Sequence, residues 1–217
     1  MDYKTRLLPM TDEARREALA LFRTGQAVAF PTDTVYGLGA DGLDASAIER
    51  LYAIKNRPGE KAIPFLLADQ DQVKLAARVW DRRAQLLARR FWPGALTIVV
   101  PAKETVPEVL RAGNDTIALR VPNLDWLRRL IYELGRPLAT TSANLSGAGD
   151  STTASAVLEQ LDGRIPLIVD GGTTSGGRAS TVVDLATEQA RVLREGEISS
   201  DQIRQVLSSI EPRQGRG

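Results

Sequence analysis

The chain has 217 residues, 43% of them hydrophobic and 25% charged, with 28 Lys plus Arg set against 27 Asp plus Glu. That composition suits one large α/β-sized domain with a full core, and the charge balance gives no net-charge signal for nucleic-acid binding. Histidine and cysteine are both absent. Their absence rules out a Ser-His-Asp triad, a cysteine nucleophile, a disulfide framework and any zinc site built on His or Cys. An enzyme made from this inventory has a carboxylate or lysine as its base, or uses a nucleophile that arrives already charged. No apolar run reaches the length of a membrane span and the N-terminus lacks a signal-peptide pattern, so the expected location is the cytoplasm.

In chain order, Thr11-Asp12-Glu13 opens an amphipathic helix that runs to Gly25, with a hydroxyl cap, early acids and a terminal glycine. Residues 27–30 read as a short buried strand ending at Pro31. The next piece, Pro31-Thr32-Asp33-Thr34-Val35-Tyr36-Gly37-Leu38-Gly39, is too rich in hydroxyls and glycine for an ordinary strand. A helix is expected over 45–54, a strand over 62–68, and helices over 72–79 and 82–91, the last closed by Trp92-Pro93-Gly94. Strands follow at 96–100 and 116–121, then a helix over 123–134 stopped by Gly135. Further strands are expected at 138–141, 167–169, 180–185 and 192–193, with helices at 154–161 and 200–209. This alternation predicts an α/β fold with a predominantly buried sheet, whose strand directions the sequence does not reveal. Residues 211–217 read as a flexible tail.

Glycine loops are poor guides in this chain. The run from Gly171 to Gly177 lacks the G-K-[ST] ending of a phosphate loop and reads as a flexible turn between strands. Gly37 and Gly39 miss the dinucleotide fingerprint spacing. The basic and polar pieces carry more. Lys55 and Arg57 follow a helix, where cations simply favour the C-terminal dipole. With Lys61 they form three cations around a Pro-Gly turn, which repel one another unless an anion lies between them. Arg120 sits near the end of an apolar strand, where a guanidinium requires either an anionic ligand or an internal acid. Ser142 and Asn144 fit a turn and helix cap, or a pair of ligand contacts. The arginine doublets on the helices read as solvated faces.

Taken together, these pieces make the chain resemble the YrdC-type threonylcarbamoyl-AMP synthases. The resemblance runs from about Ala27 to Gly196. It covers Pro31–Gly39, the K-x-R at Lys55–Arg57 with Lys61-Ala62-Ile63-Pro64, Trp92-Pro93-Gly94-Ala95-Leu96-Thr97 and Leu119-Arg120-Val121-Pro122. It continues through Thr140-Thr141-Ser142-Ala143-Asn144-Leu145-Ser146-Gly147, Ser180-Thr181-Val182-Val183-Asp184 and Val192-Leu193-Arg194-Glu195-Gly196. It implies an open, twisted mixed sheet with flanking helices and a large concave, positively charged face. It implies a nucleotidyltransferase that converts L-threonine, bicarbonate and ATP to threonylcarbamoyl-AMP and pyrophosphate. The product serves a threonylcarbamoyl-transferase machinery that modifies the adenosine beside the tRNA anticodon. Among site residues, the resemblance gives Lys55 and Arg57 as catalytic, and Lys55, Arg57, Lys61, Thr116, Ser142, Asn144 and Arg194 as ATP contacts. Thr34, Arg120, Thr140 and Ser180 are the implied threonine contacts. Magnesium is expected with ATP, held by phosphate oxygens and water, with no dedicated metal site. Where some members carry a polar side chain, this chain reads Pro64-Phe65-Leu66-Leu67, so one substrate contact differs. Lacking the linker and second domain of longer members, the chain is expected to be the short form, one domain over 1–217.

Two alternatives share these pieces. One is a non-catalytic paralogue that binds tRNA or double-stranded RNA; Thr34, Arg120 and Ser180 serve threonine, not RNA, and favour the enzyme. The other is carbamoyl-adenylate formation, as in hydrogenase-maturation proteins, which depends on cysteine-rich modules this chain lacks.

Overall fold

The computed structural model describes residues 3–56, 62–175 and 179–208. Among them, ten strands form one mixed sheet with seven α-helices and a 3₁₀ helix around it. In chain order the elements are β1 (Arg6–Pro9), α1 (Asp12–Arg23), β2 (Val28–Pro31), β3 (Tyr36–Asp41), α2 (Ala45–Lys55) and β4 (Phe65–Leu66). The 3₁₀ helix Gln70–Leu75 precedes α3 (Arg82–Phe91), β5 (Leu96–Pro101), α4 (Glu108–Arg111), β6 (Thr116–Arg120) and α5 (Asp125–Leu134). The chain continues through β7 (Leu138–Ser142), α6 (Ala154–Leu161), β8 (Leu167–Asp170), β9 (Thr181–Asp184), β10 (Arg191–Arg194) and α7 (Ser200–Ser208). The strand order across the sheet is β1-β8-β2-β3-β7-β4-β6-β5-β9-β10. Four pairs (β1–β8, β2–β8, β4–β6, β5–β9) are parallel and the other five antiparallel.

Local chemistry sets the helix ends. Thr11 caps α1 by accepting from the Ala14 amide, and Asp12 and Glu13 oppose the positive end of the dipole. Asp44 caps α2 by accepting from the amides of Ser46 and Ala47, and Asn56 closes it in a left-handed conformation, φ 50°. The Ser46 hydroxyl also bonds the Asp44 carboxylate and holds its pKa below the ordinary value.

Successive strand residues point to opposite faces, so the sheet buries two separate apolar layers. On one face Ala29, Leu38, Phe65, Ile98, Leu119, Ala139, Ile168 and Val183 pack against α2, α3, α6 and α7. On the other, Val28, Phe30, Leu66, Leu138, Leu167 and Val169 pack against α1 and α5 through Ala18, Phe22, Leu127, Leu130 and Ile131. The second layer is short. It spans the part of the sheet from β8 to β4, and no residue of β5, β6 or β9 belongs to it. Half of this face is therefore left without a helical cover.

Several elements differ from expectation. Tyr36–Asp41 is a fully buried strand between β2 and β7, although its glycines argued against one. Gly37 and Gly39 lie on the Phe30 side, and a Cβ on Gly39 would stand 2.8 Å from the Phe30 ring. The glycines give that ring its space, so they mark a close approach within the sheet rather than a loop. The strand expected over 62–68 shortens to Phe65–Leu66, and the helix expected over 72–79 is the 3₁₀ turn capped by Asp69. Strand β1 and helix α4 were not anticipated: β1 is a short, mostly exposed edge strand, and α4 is a single turn. The expected tail at 211–217 and helix end at Ser209 lie outside the described residues.

Candidate active site

One cross-sheet row defines the uncovered half. Leu138 pairs with Leu66, Leu66 with Arg120, Thr97 with Val182, and Val182 with Arg194. The Ile98–Leu119 pairing places Thr97 opposite Arg120 and closes the series. Leu138 and Leu66 end under α1 and α5 in the apolar layer. The four remaining positions line a cleft and carry two guanidinium groups and a hydroxyl. Its volume is about 350 Å³, and its wall includes Thr34, Arg120, Thr140, Ser142, Ser180 and Arg194. All four expected threonine contacts are thus brought together, along with two of the expected nucleotide contacts.

The Pro31–Val35 turn is built from its own hydroxyls. Thr32 Oγ1 accepts from the amides of Thr34 (3.1 Å) and Val35 (3.3 Å) and donates to the Val35 carbonyl (2.7 Å). Its proton is committed to Val35, so in the 3.0 Å contact between the two hydroxyls Thr34 is the donor. Thr34 in turn accepts from Arg120 Nη1 at 3.2 Å. A ligand oxygen taking the Thr34 proton would replace Thr32 as its acceptor.

Arg120 is 6% exposed and is not free of internal partners. Its Nε donates to the Gly94 carbonyl (3.0 Å) and its Nη2 pairs with the Asp33 carboxylate (2.7 Å). The internal acid that the sequence offered as one alternative for Arg120 is Asp33. Three acceptors lie around the fork, and one N–H on each terminal nitrogen has no acceptor among these contacts.

At the far end of the row, Arg194 clamps Ser180. Nε and Nη2 donate to the Ser180 carbonyl (3.1 and 2.9 Å), and Nη2 reaches Ser180 Oγ (3.3 Å). Ser180 Oγ also bonds Thr97 Oγ1 at 2.8 Å. Burial pushes the Arg194 guanidinium below its usual pKa, the Asp150 carboxylate opposes that shift, and Arg120 adds to it. An anion bound between the two guanidinium groups would offset the repulsion that Arg120 exerts on Arg194. Thr97 and Asp150 are cleft residues that the sequence reading did not single out. Thr97 was legible by alternation in a strand whose neighbours face the core, whereas Asp150 follows a glycine turn with no such signal.

Lys55 lies against the turn after β7. It is 1% exposed, and its ammonium donates to the carbonyls of Ser142 and Asn144 (2.5 Å for the latter) and to Asn144 Oδ1 (3.3 Å). The Asn144 amide donates to the carbonyls of Leu145 (3.1 Å) and Ala148 (2.6 Å). Both residues therefore brace the turn after β7 from within, and neither belongs to the cleft wall. Thr116 opens β6 on the same face as Arg120, also outside the wall. Arg57 and Lys61 lie outside the described residues. The glycine segment after β8 is tied down through Ser175 rather than flexible. The Gly171 amide donates to the Tyr36 hydroxyl (3.1 Å), that hydroxyl donates to the Gly172 carbonyl (2.7 Å), and Ser175 Oγ donates to the Asp33 carbonyl (2.6 Å). Among the described residues no cluster of His, Cys, Asp or Glu could hold a metal ion, and no helix is long and apolar enough to cross a membrane.

Residues 20–196 match the Sua5/YciO/YrdC family model, described as telomere recombination. This chain belongs to that family. It is 42% identical over 195 residues to the threonylcarbamoyl-AMP synthase of Pyrococcus abyssi, covering 90% of this chain and 57% of the relative. The Bacillus subtilis synthase is 41% identical, with 94% and 59% covered. This chain thus spans less than two thirds of those two relatives. The Vibrio vulnificus synthase is 37% identical, with 83% and 97% covered. Among solved structures, Pyrococcus abyssi Sua5 in complex with L-threonine superposes with a TM-score of 0.89 at 39% identity, covering 95% of this chain and 61% of that one. Escherichia coli YciO gives 0.82 at 26% identity, with 93% and 99% covered. A mixed α/β sheet with flanking helices is the fold of this family, as the resemblance implied.

Proposed function

We propose that this Sua5/YciO/YrdC-family chain is a transferase that makes threonylcarbamoyl-AMP from L-threonine, bicarbonate and ATP. The observation that carries the reading is the cleft on the uncovered half-sheet, which gathers Thr34, Arg120, Thr140, Ser142, Ser180 and Arg194. Arg120 takes the threonine carboxylate, with Thr34, Thr140 and Ser180 around the rest of the amino acid. Ser142 and Arg194 face the nucleotide, Arg57 and Lys61 remain the expected phosphate cradle, and Lys55 and Asn144 support that side by fixing the turn after β7.

In this reading the threonine amine and bicarbonate condense, with loss of water, to an N-carboxylate. One of its oxygens attacks the α-phosphorus, the α–β phosphoanhydride P–O bond breaks, and pyrophosphate leaves. The nucleophile is already an anion, so a chain without histidine meets the demands of that step. What the protein adds is alignment and fixed positive charge in a cleft, which account for much of phosphoryl-transfer catalysis. Magnesium enters with ATP as part of the substrate. The product then passes to a transferase acting on tRNA.

Pyrophosphate release is the test. It is expected to need ATP, threonine and bicarbonate together, with serine poorer by ~1–3 kcal/mol for the missing methyl. Turnover that ignores threonine would sink the reading.

A further inference from the structure

Asp33 has no role in the site as described so far, yet it closes the set of acceptors around Arg120. We propose that Asp33 is a positioning residue: it holds the Arg120 fork in the one orientation that presents its two remaining N–H groups to the amino-acid carboxylate. The proposal rests on the threonine reading above.

Three directions of the guanidinium are taken by protein acceptors. Gly94 O lies 3.0 Å from Nε, Thr34 Oγ1 3.2 Å from Nη1, and Asp33 Oδ1 2.7 Å from Nη2. Nε is spent, so a bidentate carboxylate has only the two terminal nitrogens to use. Of the three acceptors, Asp33 makes the shortest contact and is the only charged one. It stands behind the arginine, being absent from the wall of the substrate cleft, and lines a separate cleft on the other side of the Pro31–Val35 turn. Its own placement is rigid. The Thr32 hydroxyl bonds the amides of Thr34 and Val35 on one side, and Ser175 Oγ donates to the Asp33 carbonyl at 2.6 Å on the other. A flexible arginine with an uncommitted Nη2 would lose part of its binding strength to reordering, whereas a fork oriented in advance would not.

The role is orientation, so what matters is an acceptor oxygen at that position. Asp33→Ala is expected to raise the threonine KM at least about tenfold, the loss of roughly one charge-assisted hydrogen bond, with the ATP KM within about twofold. Asp33→Asn keeps an oxygen there and is expected to recover most of that loss. L-threoninol, which lacks the carboxylate, reports the route. Its inhibition constant against threonine is expected to be the same in wild type and Asp33→Ala. In an Arg120→Lys background, Asp33→Ala is expected to add nothing further. If Asp33→Ala does not fold, as judged by circular dichroism and thermal unfolding, Asp33→Leu removes the acceptor while filling its space.

An unchanged or lowered threonine KM would overturn the proposal. So would equal losses for threonine and threoninol, or an asparagine variant no better than alanine. A wild-type protein indifferent to threonine would be a different outcome, striking at the function itself and not at Asp33 alone.

Discussion

Two halves of one sheet face are built on neighbouring strands, with the same alternation, and end as different materials. Over β8, β2, the start of β7 and β4 that face holds Val28, Phe30, Leu66, Leu138, Leu167 and Val169 under α1 and α5. Over β6, β5 and β9 it holds Ala118, Arg120, Thr97 and Val182 with no helix above. The row from Leu138 to Arg194 crosses from one to the other. Cover, not strand composition alone, separates core from site: leucine is buried where a helix lies above, and arginine is affordable where the cleft opens.

The largest expected effect tests the polar half. Arg120→Ala should abolish threonine-dependent turnover and also lower stability by ~3–5 kcal/mol, because the Asp33 carboxylate is left half-buried and alone. Arg120→Lys should keep the fold and lose threonine affinity, since lysine supplies charge without the fork. Urea unfolding and threonine titration of both variants measure the two effects separately. A stable alanine variant would mean that Asp33 finds other partners and that the two halves are less distinct than they look.

The covered half should respond in the opposite sense. Leu130→Ala empties a fully buried position on α5 and should cost ~2–5 kcal/mol. The protein that remains folded should keep its threonine and ATP KM values. A shifted KM at unchanged fold would show that packing under α5 reaches the cleft, and would blur the division.

Lys55 sharpens the comparison from behind the sheet. Lys55→Met should cost about 1–3 kcal/mol, because buried carbonyls at Ser142 and Asn144 lose their donor. It should weaken AMP and ATP binding to a similar degree, as expected if the residue braces the turn that carries Ser142. Calorimetric titration with each nucleotide checks this. A loss confined to ATP would return Lys55 to the phosphate cradle.

Much of this was legible beforehand. Helix α3 and helix α6 fall where the 3.6-residue pattern put them, because amphipathic faces and capping residues are local signals. The four threonine-side residues were named by family resemblance, and the cleft gathers them. The pairing partner of Arg120 was not legible, since Asp33 is 87 residues away and nothing local to either residue points to the other. Strand β3 was missed for a related reason. Gly37 and Gly39 read as loop residues until Phe30, on another strand, is seen to need the space above them. The carbonyl partners of Lys55 were not legible either, because a buried ammonium and a phosphate-binding one have the same sequence signature.

The six positions of the cross-sheet row stand in the order 138, 66, 120, 97, 182 and 194, drawn from six strands. No contiguous stretch of chain contains the site, and no early hairpin could form it. Such non-local pairings close late and slowly, because each loop-closure entropy is met before its contacts form. Recovery of ligand binding after denaturation therefore marks completion of the whole sheet. By mass action, any ligand of this cleft stabilises the entire domain and not just its rim.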